Sequence, residues 1–76
     1  MLHARPDYQR IQDPESRIPE KEPVFLLRGQ DVSAPATLRF WVQENRKNGG
    51  EEDLSVLAEA QALRMEQWPQ KKPADS

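Results

Sequence analysis

The sequence contains no cysteine and only one histidine among its 76 residues. Without cysteine, the chain has no disulfide framework, no thiol nucleophile and no cysteine-ligated metal. The single histidine, His3, has no neighbour in the sequence pattern that would orient it as a base or a ligand. No apolar run approaches the roughly 18 residues of a membrane-spanning helix, and no signal peptide is recognisable. We therefore expect a soluble cytoplasmic protein without a cofactor.

Large apolar residues are also scarce. Val, Ile, Leu and Phe together account for 15 of the 76 residues, whereas charged residues make up 32% of the chain. A chain of this length typically buries about 60% of its unfolded surface, so it is marginally stable alone and gains from association. This composition disfavours a metabolic enzyme, because an enzyme needs a buried and pre-organised pocket.

The residues that could perform chemistry do not form a recognisable catalytic or metal-binding group. The four serines have no histidine positioned to activate them. The pair Gly49-Gly50 lacks the Lys-Ser/Thr that completes a phosphate-binding loop. The acidic run Glu51-Glu52-Asp53 suits the positive end of a helix dipole, since consecutive helical positions point in different directions. We expect the chain not to be an enzyme and to bind no metal.

Charge is spread without a strong excess of either sign. The net charge is −2 and the isoelectric point is about 5.3. Residues 23–50 carry four basic and two acidic side chains, whereas residues 51–76 carry three basic and six acidic ones. Binding of nucleic acid by phosphate neutralisation requires a clustered basic face. The composition therefore argues against a nucleic-acid partner.

The first third of the chain is rich in proline. Four of the seven prolines fall within residues 1–23, and each favours extended backbone. This segment is predicted to be an extended arm that either lies across the fold or is disordered. The run Val24-Phe25-Leu26-Leu27 then predicts one short β-strand at about 24–28. Because a single strand needs a partner, it would pair with Tyr8–Gln12 or with the same strand of a second chain.

Two helices follow the strand. The first is predicted at about 34–47, because Ser33 can cap it and Pro35 is tolerated in its first turn. The sequence Asn48-Gly49-Gly50 is a strong signal for its end. The second helix is predicted at about 51–68. Helices joined by so short a connection form an antiparallel αα-hairpin.

These elements predict a mainly α fold with one small domain. The domain covers residues 24–68 and contains the strand and the hairpin, whereas residues 69–76 are predicted to be a disordered tail. Apolar residues at helical spacing predict the seam between the two helices. The predicted seam residues are Leu38, Trp41, Val42 and Asn45 on the first helix and Leu54, Leu57, Ala58, Met65 and Trp68 on the second, with Gln61 as the one polar member.

Further apolar residues lie off this seam. Val56, Ala60 and Leu63 share the side of the second helix opposite the seam, and Phe40 is off the stripe of the first helix. The strand, the arm, a second copy or a foreign partner could cover them. Aromatic residues and arginines dominate protein–protein hot spots. The predicted partner-binding residues are Arg28, Arg39, Phe40, Arg46, Val56, Ala60 and Leu63, with Arg39 and Arg46 seven residues apart on one helix face.

Three segments carry a resemblance to a known family. They are Arg5-Pro6-Asp7-Tyr8, Ile11-Gln12-Asp13-Pro14 and Glu22-Pro23-Val24-Phe25-Leu26-Leu27-Arg28-Gly29-Gln30-Asp31. The chain from about Arg5 to Trp68 resembles a family of small uncharacterised proteins encoded by bacteriophages and prophages. The resemblance implies a small phage protein that acts in the bacterial cytoplasm, and it implies no catalytic residue. Proteins of this kind often bind and redirect a larger host or phage complex, including defence complexes.

Two functional hypotheses follow. The first is a non-enzymatic protein-interaction module that binds a host or phage complex, with an inhibitor of a bacterial defence system as one special case. The alternative is a weak nucleic-acid accessory protein that uses Arg28, Arg39, Arg46 and Lys47 against phosphates, with Trp41 or Phe40 for stacking. We also expect a homodimer through Val24–Leu27 and the outer face of the second helix, since two-fold pairing would satisfy an unpaired strand.

Overall fold

Two antiparallel helices form the centre of the protein. The structure is a computed structural model that describes residues 1–5 and 12–75. Helix α1 spans Ala34–Lys47 and helix α2 spans Glu52–Gln67. The predicted helical hairpin is therefore confirmed, with the second helix shorter by one residue at each end. Within the described residues, neither helix is long and apolar enough to cross a membrane.

The start of α1 differs from the predicted cap. Pro35 lies in the first turn as expected, but the Ser33 side chain makes no capping hydrogen bond. Instead the Ser33 N–H donates to Asp31 Oδ1 at 2.8 Å. The hydroxyl of Thr37 donates to the Ser33 carbonyl at 2.7 Å. Asp31 therefore fixes the backbone at the helix start, a role that the sequence pattern had assigned to the serine.

The turn between the helices follows the predicted signal. The Gly50 N–H donates to the Asn45 carbonyl at 2.8 Å, and the Gly49 N–H donates to the Arg46 carbonyl at 3.2 Å. These two bonds form a Schellman motif, which requires left-handed backbone after the helix. Gly49 supplies it with a φ of 75°. A side chain at Gly50 would collide with Asn45, so each glycine is required for a different reason.

Small residues form the seam of the hairpin. On α2, Ser55 and Ala62 are fully buried, and on α1 Val42 is 2% exposed. The Asn45 side chain donates from Nδ2 to Ser55 Oγ at 2.9 Å, which joins the two helices near the turn. Small side chains allow the helix backbones to approach closely. Ser55 is the largest fully buried side chain among the described residues.

The seam predicted for α2 is therefore wrong in most of its members. Leu54, Leu57 and Trp68 are 49%, 65% and 53% exposed, and Trp41 on α1 is 43% exposed. At about 100° per residue, Gln61, the centre of the predicted stripe, lies roughly a third of a turn around α2 from the buried Ser55 and Ala62. We refer to Leu54, Leu57, Gln61, Met65 and Trp68 as the α2 stripe. The predicted seam is wrong because α2 carries two competing stripes, and the stripe of small residues permits the closer helix contact.

The predicted strand is shorter and has a different partner. Strand β1 is Leu2–His3 and strand β2 is Pro23–Val24, and they pair in parallel. The Leu2 N–H donates to the Glu22 carbonyl at 2.6 Å. Val24 therefore has its strand partner, His3, within the same chain. Of the alternative pairing segment Tyr8–Gln12, only Gln12 belongs to the described residues, and Tyr8 and Ile11 lie outside them.

The segment after α2 is bound to the loop before α1. The Lys72 N–H donates to the Gln30 carbonyl at 2.9 Å, and the Val32 N–H donates to the Lys72 carbonyl at 3.0 Å. The Lys71 ammonium donates to the carbonyls of Gly29 and Met65. The sequence predicted a disordered tail over residues 69–76. As far as Asp75, this segment instead pairs with the loop before α1 and closes this end of the hairpin.

Candidate interaction surface

A ladder of ion pairs runs along one side of the seam. Arg39 binds Glu66 through two hydrogen bonds of 2.7 and 2.5 Å. Arg46 binds Glu52 at 2.7 Å and Glu59 at 2.8 Å. The arginines are seven residues apart on α1 and the glutamates are seven apart on α2, so the same faces meet at each step. We refer to this side of the hairpin as the ladder face.

These pairs hold both partners in their charged forms. The hydrogen bond from Arg39 lowers the pKa of Glu66, and the hydrogen bond from Arg46 lowers the pKa of Glu52. The same bonds raise the pKa of Arg39 and of Arg46 above the ordinary arginine value. The side chains remain 42–60% exposed, so water screens the ladder and its main effect is to fix the alignment of the helices.

An apolar edge borders the ladder face. Leu63 lines a groove of about 450 Å³ together with Arg39, Arg46 and the buried Val42. Val56 lies two turns before Leu63 on the same face, and both are half-exposed. Ala60 is exposed between them. The structure thus brings five of the seven predicted partner-binding residues to one side of the hairpin.

The other two predicted residues lie elsewhere. Phe40 is 60% exposed and, by helical spacing, lies on the side of α1 away from the seam. Arg28 lies in the loop before α1 and lines a groove with Gln61 and Trp68, on the side of the hairpin opposite the ladder. The predicted set is therefore not a single patch.

The surface opposite the ladder carries the α2 stripe. The loop residues Leu27–Gln30 run beside its C-terminal half, and the Gly29 backbone lies close to Met65 and Trp68. Between loop and helix lies a groove of about 390 Å³. The N-terminal half of the stripe, Leu54 and Leu57, projects from the helix beyond this groove.

Sequence reasoning missed this surface because it placed the stripe inside the hairpin. Two signals could have indicated otherwise. Ser55, Ala58 and Ala62 form a second stripe at helical spacing, and small residues at such spacing favour close helix contact. The matching seven-residue intervals of arginine on α1 and glutamate on α2 also define which faces meet.

The described residues bring together few groups that could perform chemistry. Among the described residues, neither of the two buried ring nitrogens of His3 has a hydrogen-bond partner. Within residues 1–5 and 12–75, no group of three or more potential metal ligands occurs. What the arrangement offers is surface: apolar side chains at fixed positions on two rigid helices.

Comparisons with protein-family models, with curated proteins and with solved structures give no match to this chain. The function proposed below is therefore inferred from the geometry of the ladder face and of the α2 stripe.

Proposed function

We propose that this chain is a non-enzymatic protein-interaction module, encoded by a phage, that binds a host or phage macromolecular complex. The observation that carries the proposal is the exposure of its large apolar side chains. Ten of them are 43–65% exposed in the described chain, and the only fully buried residues are small. They are Leu2, Phe25, Val32, Phe40, Trp41, Leu54, Val56, Leu57, Leu63 and Trp68.

The ladder face is the surface proposed to bind the foreign protein. Leu63 and Val56 form an apolar edge, and two arginines with fixed geometry lie beside it. Apolar and arginine side chains held in place lose little entropy on binding, which favours affinity. The ladder has two positive and three negative charges, so a partner with a mixed or mildly basic surface fits it best.

The nucleic-acid alternative receives less support from this geometry. Arg39 and Arg46 already bind carboxylates on α2, and the ladder carries one excess negative charge, which repels phosphate. Trp41 is more exposed than expected and would be accessible for stacking. Stacking alone, without a basic face, gives weak binding.

Affinity capture from bacterial lysate tests the proposal if it is made with matched variants. The unmodified chain should retain a partner in stoichiometric amount, and Leu63→Glu should lose it, because a charge would occupy the apolar edge. Leu57→Glu is the control, since Leu57 is a similarly exposed leucine of α2 away from the ladder face. Equal retention by Leu63→Glu and the unmodified chain would contradict the proposed surface, and loss of capture by both variants would contradict its specificity.

A defence system as the target requires a cellular measurement. Expression of the unmodified chain should restore phage plating on a strain that carries the defence system, and Leu63→Glu should not. If plating stays low with both chains while capture of a partner persists, the target is another host or phage complex.

A further inference from the structure

The α2 stripe is symmetric about its central residue. Leu57 and Met65 lie four residues before and after Gln61, and Leu54 and Trp68 lie seven residues before and after it. If two copies of α2 pack in antiparallel orientation with Gln61 on a two-fold axis, Leu57 faces Met65 of the other copy. Leu54 then faces Trp68, the residue that ends the helix. Such self-complementarity is the requirement for a two-fold contact between identical chains.

We infer that the α2 stripe binds a second copy of this chain, as an antiparallel contact centred on Gln61. The contact differs from the one that the sequence predicted, which used Val24–Leu27 and the opposite side of α2. It is also separate from the ladder face, so it neither requires nor blocks the proposed foreign partner.

The shape of the surface supports this arrangement. The N-terminal half of the stripe projects: Leu57 is 65% exposed, the highest value among the large apolar residues described. In the C-terminal half, the loop Leu27–Gln30 lies beside Met65 and Trp68 and leaves a groove between loop and helix, where Met65 is partly buried and Trp68 is 53% exposed. The antiparallel contact places Leu57 and Leu54 of each copy against the groove of the other. That groove, of about 390 Å³, is open to solvent on the side that the two leucines would approach.

The polar centre of the stripe suits a two-fold axis. Gln61 accepts a hydrogen bond from Arg64 at 3.3 Å, and its amide has two N–H groups to donate across the axis. An amide is both donor and acceptor and can therefore bind a copy of itself. A single polar residue within an apolar helix contact fixes the register of that contact, because any shift would bury the amide without a partner.

Charge favours the antiparallel orientation over the parallel one. Glu51, Glu52 and Asp53 lie at the start of α2. The chain beyond Gln61 carries three basic residues against two acidic ones: Arg64, Lys71 and Lys72 against Glu66 and Asp75. Antiparallel copies place the acidic end of each near the basic end of the other and oppose the two helix dipoles. Parallel copies would place like charges together.

The exposed area is sufficient for such a contact. The chain exposes 6191 Å², whereas a compact monomer of its mass, 8.8 kDa, exposes about 4,800 Å². The excess is larger than the roughly 800 Å² that each partner buries in a typical stable interface, and it is distributed over the whole chain, including the N-terminal arm. A second copy on the α2 stripe would cover part of it.

The mass in solution tests the inference with two matched variants of the full chain. Sedimentation at rising concentration should show the unmodified chain reaching twice 8.8 kDa. Leu57→Glu should remain at the single mass with unchanged helical circular dichroism, and Leu63→Glu should still form the dimer. A single mass at all concentrations for the unmodified chain would overturn the inference, as would a dimer that survives Leu57→Glu and is lost with Leu63→Glu.

Disulfide trapping tests the register, since the natural chain has no cysteine. A mixture of Leu57→Cys and Met65→Cys chains should oxidise mainly to the mixed dimer. Leu57→Cys alone should cross-link slowly, at the rate of the control Gln43→Cys on the ladder face. Rapid cross-linking of Leu57→Cys with itself would indicate parallel helices and overturn the antiparallel contact, and no cross-link above the control rate would overturn the contact altogether.

Discussion

The seam and the α2 stripe are two surfaces of the same helix with opposite compositions. The seam buries Ser55 and Ala62, whereas the stripe exposes Leu57 and Trp68. Burial of large apolar groups stabilises a protein more per residue than burial of small ones. The hairpin nevertheless uses its small residues internally, where close approach and an ion-pair ladder align the helices. The large residues remain about half-exposed on the outside, where they are available for a contact with another chain.

The largest effect should come from adding volume to the seam. Ala62→Leu inserts a bulky side chain at a fully buried position between the helices, and overpacking of this kind costs about 1–3 kcal/mol. Leu57→Ala removes as much volume from the stripe, yet at concentrations where the chain is monomeric it should change stability by less than about 0.5 kcal/mol. Denaturation with urea measures both. A larger loss for Leu57→Ala would reverse the assignment of the two surfaces.

A loss of at most similar size should follow from removing the polar contact within the seam. Asn45→Ala leaves the fully buried Ser55 hydroxyl without the partner that it has at 2.9 Å. An unsatisfied buried polar group costs about 1–3 kcal/mol. The double variant Asn45→Ala with Ser55→Ala should recover part of the loss, because it removes both polar groups. Additive losses in the double variant would show that the two side chains are not coupled.

The sequence predicted the elements better than it predicted their faces. Asn48-Gly49-Gly50 specified the turn because its signal is local: two hydrogen bonds and one left-handed residue. The seam could not be derived in the same way, because α2 has apolar residues on two sides and periodicity does not say which side meets α1. The pairing of Leu2–His3 with Pro23–Val24 depends on contacts across about twenty residues, which no local pattern encodes.

The candidate site was predicted in part for the same reason. Arg39 and Arg46 were correctly placed on one face by their spacing, but their partners on α2 could be identified only with the register of the hairpin. Once the ladder fixes that register, Leu63 and Val56 follow on the same side. Leu57 and Trp68 were assigned to the interior because large apolar residues usually belong there.

The weakest expected effect is the response of the ladder to acid. The pKa values of Glu52 and Glu66 are lowered below the ordinary value of 4.5 by their hydrogen bonds from arginine. A lowered pKa in the folded state contributes stability above pH 4.5, and that contribution is lost as the pH falls below this value. Thermal unfolding between pH 6 and about pH 3 should show a modest fall. The double variant Glu52→Gln with Glu66→Gln should lose this pH dependence. An unchanged dependence of the unfolding temperature on pH would show that other carboxylates cause the fall.

Quenching of tryptophan fluorescence tests most directly which stripe faces outwards. The chain has two tryptophans. Trp68 belongs to the α2 stripe, and Trp41, by helical spacing, lies about half a turn around α1 from Arg39 of the ladder. In the Leu57→Glu variant, which should be monomeric, acrylamide should quench both indoles readily at every concentration. If either indole stays protected in that variant, the large apolar residues form the internal seam, and the division between a small-residue interior and a large-residue docking stripe is wrong.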